Sequence, residues 1–250
     1  MDNALVIMEK LFMSKLYIVI PAYNEVENID KVAREWHEIV VRRGEESRLI
    51  IIDDGSKDDT YNKLKDLQKE LPQLDAITKP NSGHGATILY GYNYAVENGA
   101  DYIFQTDSDG QTVPEEFESF WEIRDQFDAI IGYRKKREDG FSRIFVTKIL
   151  KLVIFCIFGS WIMDANTPFR LFHRSVLEKL LPLVPKDYFL TNVLLTVMLE
   201  KSKAKMHYLQ ITFRPRQGGV NSINIKRIFK IGLTALRDFT SLRKVVKNCM

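Results

Sequence analysis

Asp107-Ser108-Asp109, followed by Gly110-Gln111, sets two carboxylates one residue apart just after an apolar run, Tyr102-Ile103-Phe104. Carboxylate oxygens converging at the end of a buried strand suit a hard cation. Mg²⁺ and Mn²⁺ prefer oxygen ligands, and Mg²⁺ is commonly shared between protein carboxylates and substrate phosphates. The chemistry implied is capture of a metal-bound, phosphate-bearing ligand. The same spacing is frequent in solvated turns, so the pair alone does not decide between the two.

The surrounding elements bear on that choice. Residues 16–20 are apolar and β-branched and run up to Pro21, which reads as a first buried strand. Over 26–41, apolar residues recur at Val26, Ile29, Ala33, Trp36 and Val40, a helical spacing. Residues 49–52 form a second apolar strand, broken by Asp53-Asp54-Gly55-Ser56, and 57–71 are helical with Tyr61, Leu64 and Leu67 on one face. A short strand at 74–78 precedes a helix over 86–98 that Gly99 closes. After the strand before Asp107 come a helix near 115–127 and a strand at 129–131. Strand and helix thus alternate to about Gly132, the pattern of an α/β fold with a mostly parallel central sheet flanked by helices. Ligands of such sheets bind beyond the carboxyl ends of the strands. Three polar clusters fall there: Pro21-Ala22-Tyr23-Asn24-Glu25, Asp53 to Ser56, and Asp107 to Gln111.

Beyond Gly132 the character changes. Residues 133–143 are basic, contain Gly140 and read as a mobile loop. Residues 144–163 are apolar, but Lys148 and Lys151 leave an uninterrupted stretch shorter than the roughly 20 residues of a spanning helix. Such a segment lies at a membrane interface with its lysines reaching water, or is a core helix. A helix near 191–199, a strand near 207–213 and a basic amphipathic helix over 225–247 complete the chain.

Composition narrows the classes further. The chain has 250 residues, 28% of them charged, and a formal net charge of +3. That balance gives no support for nucleic-acid binding. Two cysteines, Cys156 and Cys249, do not make a disulfide framework, and a reducing cytoplasm is the expected setting. Residues 1–13 contain Asp2, Glu9 and Lys10 and do not read as a signal peptide.

Val19-Ile20-Pro21-Ala22-Tyr23-Asn24-Glu25, Asp53 to Ser56, Asn81-Ser82-Gly83-His84-Gly85, Asp107 to Gln111, and the stretch from Asp164 to Arg170 occur in the order seen in glycosyltransferase family 2. The chain most resembles the polyprenyl-phosphate, dolichyl-phosphate mannose synthase-like sugar transferases, over about residues 15–222. The resemblance implies a GT-A (Rossmann-like) fold, a nucleotide-sugar donor (UDP-, GDP- or dTDP-linked) and Mg²⁺ or Mn²⁺. It divides the chain into a glycosyltransferase domain over 1–222, with a nucleotide-binding half at 15–132 and an acceptor half at 133–222. A basic amphipathic C-terminal helix follows over 223–250.

The resemblance also assigns residues. Asp107 and Asp109, with Gln111, would hold the metal, and Ser108 would lie against the donor. Pro21, Ala22 and Tyr23 would shape the loop that packs on the base, with Glu25, Asp53 and Asp54 binding base or ribose. Asp53-Asp54 could equally be a plain strand-to-helix turn with Ser56 as helix cap, and Glu25 a favourable first-turn acid. Gly83 would let backbone approach an anionic ligand at the start of a helix; His84 reads as an exposed loop histidine. Arg134, Arg170 and Arg216 would face the donor, and Arg143, Thr147 and Ser222 the acceptor phosphate.

Many family 2 enzymes that act on sugar hydroxyls carry a Glu-Asp pair as general base; the corresponding stretch here, Asp187-Tyr188-Phe189-Leu190-Thr191-Asn192, has none. A phosphate monoester is already anionic and needs no base, which favours a polyprenyl-phosphate acceptor, with Asp187 the remaining candidate base. Two other readings stay open: transfer to a glycan hydroxyl, and a catalytically silent nucleotide-binding scaffold. Peripheral contact with the cytoplasmic face of a membrane, a membrane partner and a homo-oligomer are further expectations.

Overall fold

The alternation of apolar runs and helical spacings carries into the folded chain. The structure is a computed structural model that describes residues 14–134, 141–215, 238–243 and 246, apart from the side chains of 141–148. In chain order the elements are β1 (Leu16–Ala22), α1 (Ile29–Val41), β2 (Arg48–Asp53), α2 (Thr60–Glu70), β3 (Leu74–Thr78), α3 (His84–Glu97), β4 (Tyr102–Thr106), α4 (Phe117–Glu122), β5 (Ala129–Arg134), α5 (Phe141–Phe158), β6 (Phe169–His173), α6 (Arg174–Leu180), α7 (Thr191–Lys201) and β7 (Met206–Ile211). The seven strands make one sheet in the order β3-β2-β1-β4-β6-β5-β7.

Strand β1 is buried along its whole length because it has strands on both edges and helices on both faces. Leu16, Ile18 and Ile20 point into one core with Trp36, Leu64 and Phe104. Tyr17 and Val19 point into the other with Ile88, Tyr92 and Leu194. The strand continues through Pro21 to Ala22, two residues further than its sequence suggests. The Ala22 carbonyl accepts from the Asp54 N–H at 2.8 Å, toward β2. Neighbouring residues of a strand present their backbone groups to opposite sides, so Pro21 faces β4. Pairing with β4 ends at Val19, and the missing proline N–H therefore costs no ladder bond.

Four departures from the expected pattern have physical causes. Helix α1 starts at Ile29 rather than 26, because the N–H groups of Asn28 and Ile29 both turn back to the Glu25 carbonyl at 2.9 Å. Helix α2 starts at Thr60, where the Asp58 carboxylate takes the Thr60 N–H at 3.1 Å. The helix expected over 115–127 is broken into α4 between two 3₁₀ turns. There the buried Arg124 donates to the Trp121 carbonyl at 2.7 Å and stacks on the Trp121 ring at 4.2 Å. The stretch 164–172 contains a strand, β6, that enters between β4 and β5 and runs antiparallel to both.

The sheet remains mostly parallel. Of the basic segment 133–143, Tyr133 and Arg134 belong to β5, residues from Phe141 belong to α5, and 135–140 lie outside the described residues. No described helix is long and apolar enough to cross a membrane. The C-terminal helix expected over 223–250 is described only at 238–243 and 246. There Phe239, Leu242 and Val246 are buried, and the Phe239 ring lies 5.6 Å from that of Phe158.

Candidate active site at the carboxyl edge of the sheet

Strand directions bring the polar clusters together. Strands β1, β2, β3 and β4 are mutually parallel, so Tyr23 to Glu25, Asp53 to Ser56, Lys79 and Asp107 to Gln111 all fall at one edge. Strand β6 is antiparallel, so its leading residues, from Asp164, arrive at that same edge; β5 and β7 deliver Arg134 and Arg214 there. The sheet order reverses between β1 and β4. Asp107 stands at that switch point, where open α/β sheets bind ligands.

The 107–111 turn is held by hydrogen bonds to Asp107, Asp109 and Gln111. Gly110 has φ +69°, a backbone conformation that favours glycine. The Gln111 N–H donates to Asp109 Oδ1 at 3.1 Å. Gln111 Nε2 donates to the Arg214 carbonyl at 3.1 Å, and the Arg214 N–H returns to the Gln111 carbonyl at 2.7 Å. Thr112 bridges to Phe213, and the Thr106 and Thr112 hydroxyls meet at 2.8 Å. Ser108 is buried. Asp107 Oδ1 accepts from Gln105 Nε2 at 3.2 Å and lies 3.6 Å from Nε2 of His84, whose side chain is largely exposed.

Desolvation pushes the Asp107 carboxyl well above the ordinary carboxylate range, and the charge of Asp109 adds to this; Arg134 pulls it back. Asp107 is therefore an acid short of positive charge. No cluster of three His, Cys, Asp or Glu suited to a metal occurs among the described residues. The protein offers two carboxylates and the Gln111 side-chain oxygen, whose partner nitrogen is already committed. That donor set fits Mg²⁺ or Mn²⁺, which leave several positions to water and substrate oxygens.

The neighbouring acids are placed differently. Asp53 is buried, and its carboxylate accepts from the Ser56 N–H at 3.2 Å and from the Thr78 hydroxyl at 2.8 Å. Asp54 accepts from the Ser82 N–H at 2.9 Å, the Gly83 N–H at 2.8 Å and the Lys79 ammonium. Burial alone would raise the Asp54 pKa, but the bonds from Lys79 and the Ser82 N–H outweigh it and hold the carboxyl below its usual value. The sequence reading sets Asp54 against base or ribose; in the fold its carboxylate anchors the 79–83 loop that leads into α3. The glycines of that loop also serve the protein itself. Gly83 has φ +89°, and a Cβ on Gly85 would meet the Phe189 carbonyl oxygen at 2.3 Å. Gly85 thus admits the 188–189 backbone against the first turn of α3.

Arg170 is a second correction. It was expected beside the donor, yet it is fully buried and its guanidinium is spent inside the protein. Nε donates to the Thr167 carbonyl at 2.6 Å, and a terminal nitrogen donates to the Asn192 carbonyl at 3.1 Å and the Thr196 hydroxyl at 2.8 Å. It pins the 164–169 approach to β6 onto α7. Arg134 does reach the edge: its Nε lies 3.8 Å from Asp164 Oδ2, and its guanidinium covers the Phe213 ring at 4.4 Å. Asp164, buried beside it, is a site residue the sequence reading passed over, although it heads the last motif.

Pro21 and Ala22 are the buried last residues of β1, Tyr23 is exposed, and the buried Glu25 accepts from Asn28 Nδ2 at 2.8 Å. Asp187 is exposed, with φ +59°, in the loop ahead of α7. Arg143 and Thr147 lie one turn apart in α5. Arg216 and Ser222 fall outside the described residues.

A mostly parallel α/β sheet with an acidic pair at its switch edge is the GT-A type of arrangement, and comparison with known proteins agrees. The model of the Glycosyl transferase family 2 matches residues 17–181, and the chain belongs to that family. It is 29% identical over 185 residues to the UDP-N-acetylglucosamine–dolichyl-phosphate N-acetylglucosaminyltransferase of Methanococcus voltae, covering 66% of this chain and 72% of that enzyme. It is 27% identical over 172 residues to the undecaprenyl-phosphate 4-deoxy-4-formamido-L-arabinose transferase of Salmonella paratyphi B, covering 68% of this chain and 52%, about half, of that enzyme. Among solved structures, glucosyl-3-phosphoglycerate synthase of Mycobacterium tuberculosis, bound to Mn²⁺ and UDP-glucose, superposes with a TM-score of 0.65 at 14% identity, over 94% of this chain and 81% of that one. TarS of S. aureus in complex with UDP-GlcNAc gives 0.59 at 13% identity, over 93% and 70%. At these identities the structural likeness establishes the fold.

Proposed function

We propose that this glycosyltransferase moves a sugar from a nucleoside diphosphate sugar to a polyprenyl phosphate, with inversion. The observation that carries the reading is the acidic pair at the end of β4, set at the switch point beside Tyr23 and Glu25, with Asp107 half-buried and repelled by Asp109. Asp107 and Asp109, with the Gln111 oxygen, would hold Mg²⁺ or Mn²⁺. A divalent cation held there would neutralise the charge that grows on the departing nucleoside diphosphate. Tyr23 offers an exposed ring for the base, and Arg134 adds fixed positive charge near the diphosphate. A bond forms between the acceptor phosphate oxygen and the anomeric carbon as the bond to the diphosphate breaks, and the electron pair leaves with the nucleotide. The acceptor is already an anion, so the reaction needs no proton transfer.

A lipid acceptor requires contact with a membrane, and α5 supplies a surface for it. The chain leaves the site edge at Arg134 and returns at Asp164, whose side chains lie 3.8 Å apart. The excursion between them carries Ile149, Leu152, Phe155, Trp161 and Met163 as exposed apolar side chains, Trp161 at 72%. Residues 141–163 include Arg143, Lys148 and Lys151 and no acid. Exposed aromatics with basic neighbours suit an anionic membrane interface. We place this contact at the cytoplasmic face.

Two measurements test the proposal. A thermal-shift panel of UDP, GDP and dTDP sugars with Mn²⁺ identifies the donor, because only a ligand of the native state raises the melting temperature. A transfer assay with that donor then compares polyprenyl phosphate with a glycan acceptor. Product on the lipid phosphate supports the reading; product only on the glycan makes Asp187 the candidate base and overturns the acceptor assignment.

A further inference from the structure

Gln105 is a fully buried polar side chain that follows the apolar run 102–104 of β4. Its Nε2 donates to Asp107 Oδ1 at 3.2 Å. Its Oε1 accepts from Asn192 Nδ2 at 3.0 Å. The Tyr92 hydroxyl lies 3.3 Å from Asn192 Oδ1 and 3.5 Å from Gln105 Oε1. Burial pushes the Tyr92 phenol far up, so it stays a donor. The Asn192 backbone carbonyl is in turn held by Arg170 at 3.1 Å.

Each group in this chain sets the orientation of the next. Tyr92 donates to the amide oxygen of Asn192, which turns the Asn192 nitrogen to Gln105. Asn192 fills the Gln105 oxygen, which turns the Gln105 nitrogen to Asp107. That bond takes one lone pair of Oδ1 and restrains the rotation of the carboxylate. An unanchored carboxylate would lose rotational freedom on taking up a cation, whereas this one has lost it on folding.

We propose that Gln105 and Asn192 are positioning residues that hold the Asp107 carboxylate in its metal-binding orientation, with Tyr92 fixing the sense of the relay. The inference rests on the reading of Asp107 as a metal ligand. It also joins the two halves of the chain. Asn192 lies in the first turn of α7, directly after the 187–190 loop whose backbone packs on Gly85. A shift of α7 therefore reaches Asp107 through two hydrogen bonds.

The test is Mn²⁺ affinity, read by the paramagnetic resonance of free Mn²⁺ with and without UDP, in Gln105→Met and Asn192→Asp. The first keeps volume and removes the donor. The second keeps shape and replaces the donor with an acceptor, so the Gln105 amide turns over and presents oxygen to Asp107. Removing partners that orient metal ligands typically costs about 10–100-fold in affinity, and that loss is expected in both variants. The double variant should be no weaker than Gln105→Met, because the two residues act in series. Unchanged Mn²⁺ affinity in either folded variant overturns the proposal, as do additive losses. Asp107→Ala is the control: if it still binds Mn²⁺ with native affinity, the metal reading itself fails, whereas a loss there with native binding in Gln105→Met sinks the relay alone. Should Gln105→Met not fold, Asn192→Asp carries the test.

Discussion

Two strand ends of this sheet carry adjacent acids, and the fold uses them in opposite ways. At the end of β2, Asp54 is surrounded by donors: the Lys79 ammonium and the N–H groups of Ser82 and Gly83. At the end of β4, Asp107 accepts from one side-chain amide and lies 3.6 Å from a histidine, and the charges of Arg134 and Arg170 offset burial and a second carboxylate only in part. Both are paired acids in a turn after an apolar strand. What separates a structural acid from a binding one here is the supply of donors. Where the chain satisfies the charge the acid fastens a loop, and where it leaves the charge unsatisfied the acid is available to a cation.

Mutations at the two ends should therefore have opposite signatures. The largest effect is on chemistry: Asp109→Ala should lower kcat/KM by at least about 1,000-fold, since the charge stabilisation supplied by a bound metal is worth several kcal/mol. The next is on stability. Asp54→Ala removes the carboxylate partner of the half-buried Lys79 and of two N–H groups, costing about 3 kcal/mol and lowering the melting temperature by roughly 6–12 °C. This loss has a pH signature. The folded pKa of Asp54 is depressed, so its contribution is complete above the unfolded carboxyl value of about 3.9 and fades as pH falls through the folded value. The gap in stability between wild type and Asp54→Ala should be constant from pH 7 to about 5 and close in stronger acid. A gap that closes between pH 8 and 6 would contradict the assignment.

The smaller effect has the opposite sign. Asp107→Asn relieves the repulsion from Asp109 and should leave the metal-free protein as stable as wild type or up to about 0.5 kcal/mol more so, a rise of roughly 1–2 °C. It should also abolish the further rise that Mn²⁺ and nucleotide give the wild type. A fall of several degrees without metal would show that Asp107 is a structural acid like Asp54, and the comparison would collapse. On the acceptor side, replacing Leu152, Phe155 and Trp161 with serine should weaken co-sedimentation with anionic vesicles while leaving the melting temperature nearly unchanged. Native sedimentation by that variant would remove α5 as the contact surface.

The alternation of strands and helices was legible because β1, β2 and β4 are buried on both faces and carry continuous apolar runs, 16–20, 49–52 and 102–104. Strand β6 was not: it enters the sheet from a loop, antiparallel, after a long excursion, and no local period marks that return. The acidic pair was legible from spacing and from its place after a strand. The separate duties of Asp54 and Asp107 were not, because they depend on Lys79, Ser82 and Gln105, which meet them only through the fold. Arg170 misled for the same reason, since a motif arginine reads as a ligand contact until its guanidinium is seen spent on Thr167, Asn192 and Thr196. Gln105 did leave a trace, a lone amide at the end of an apolar strand.

The measurement that bears most directly on the central claim is sugar transfer from the donor found by the thermal-shift panel to polyprenyl phosphate, run with Mn²⁺ and with EDTA, for wild type and Asp109→Ala. The wild type with Mn²⁺ should yield a lipid-linked sugar phosphate of inverted anomeric configuration, and neither the wild type in EDTA nor a folded Asp109→Ala should yield any. Full transfer by Asp109→Ala, or by the wild type in EDTA, would contradict that claim.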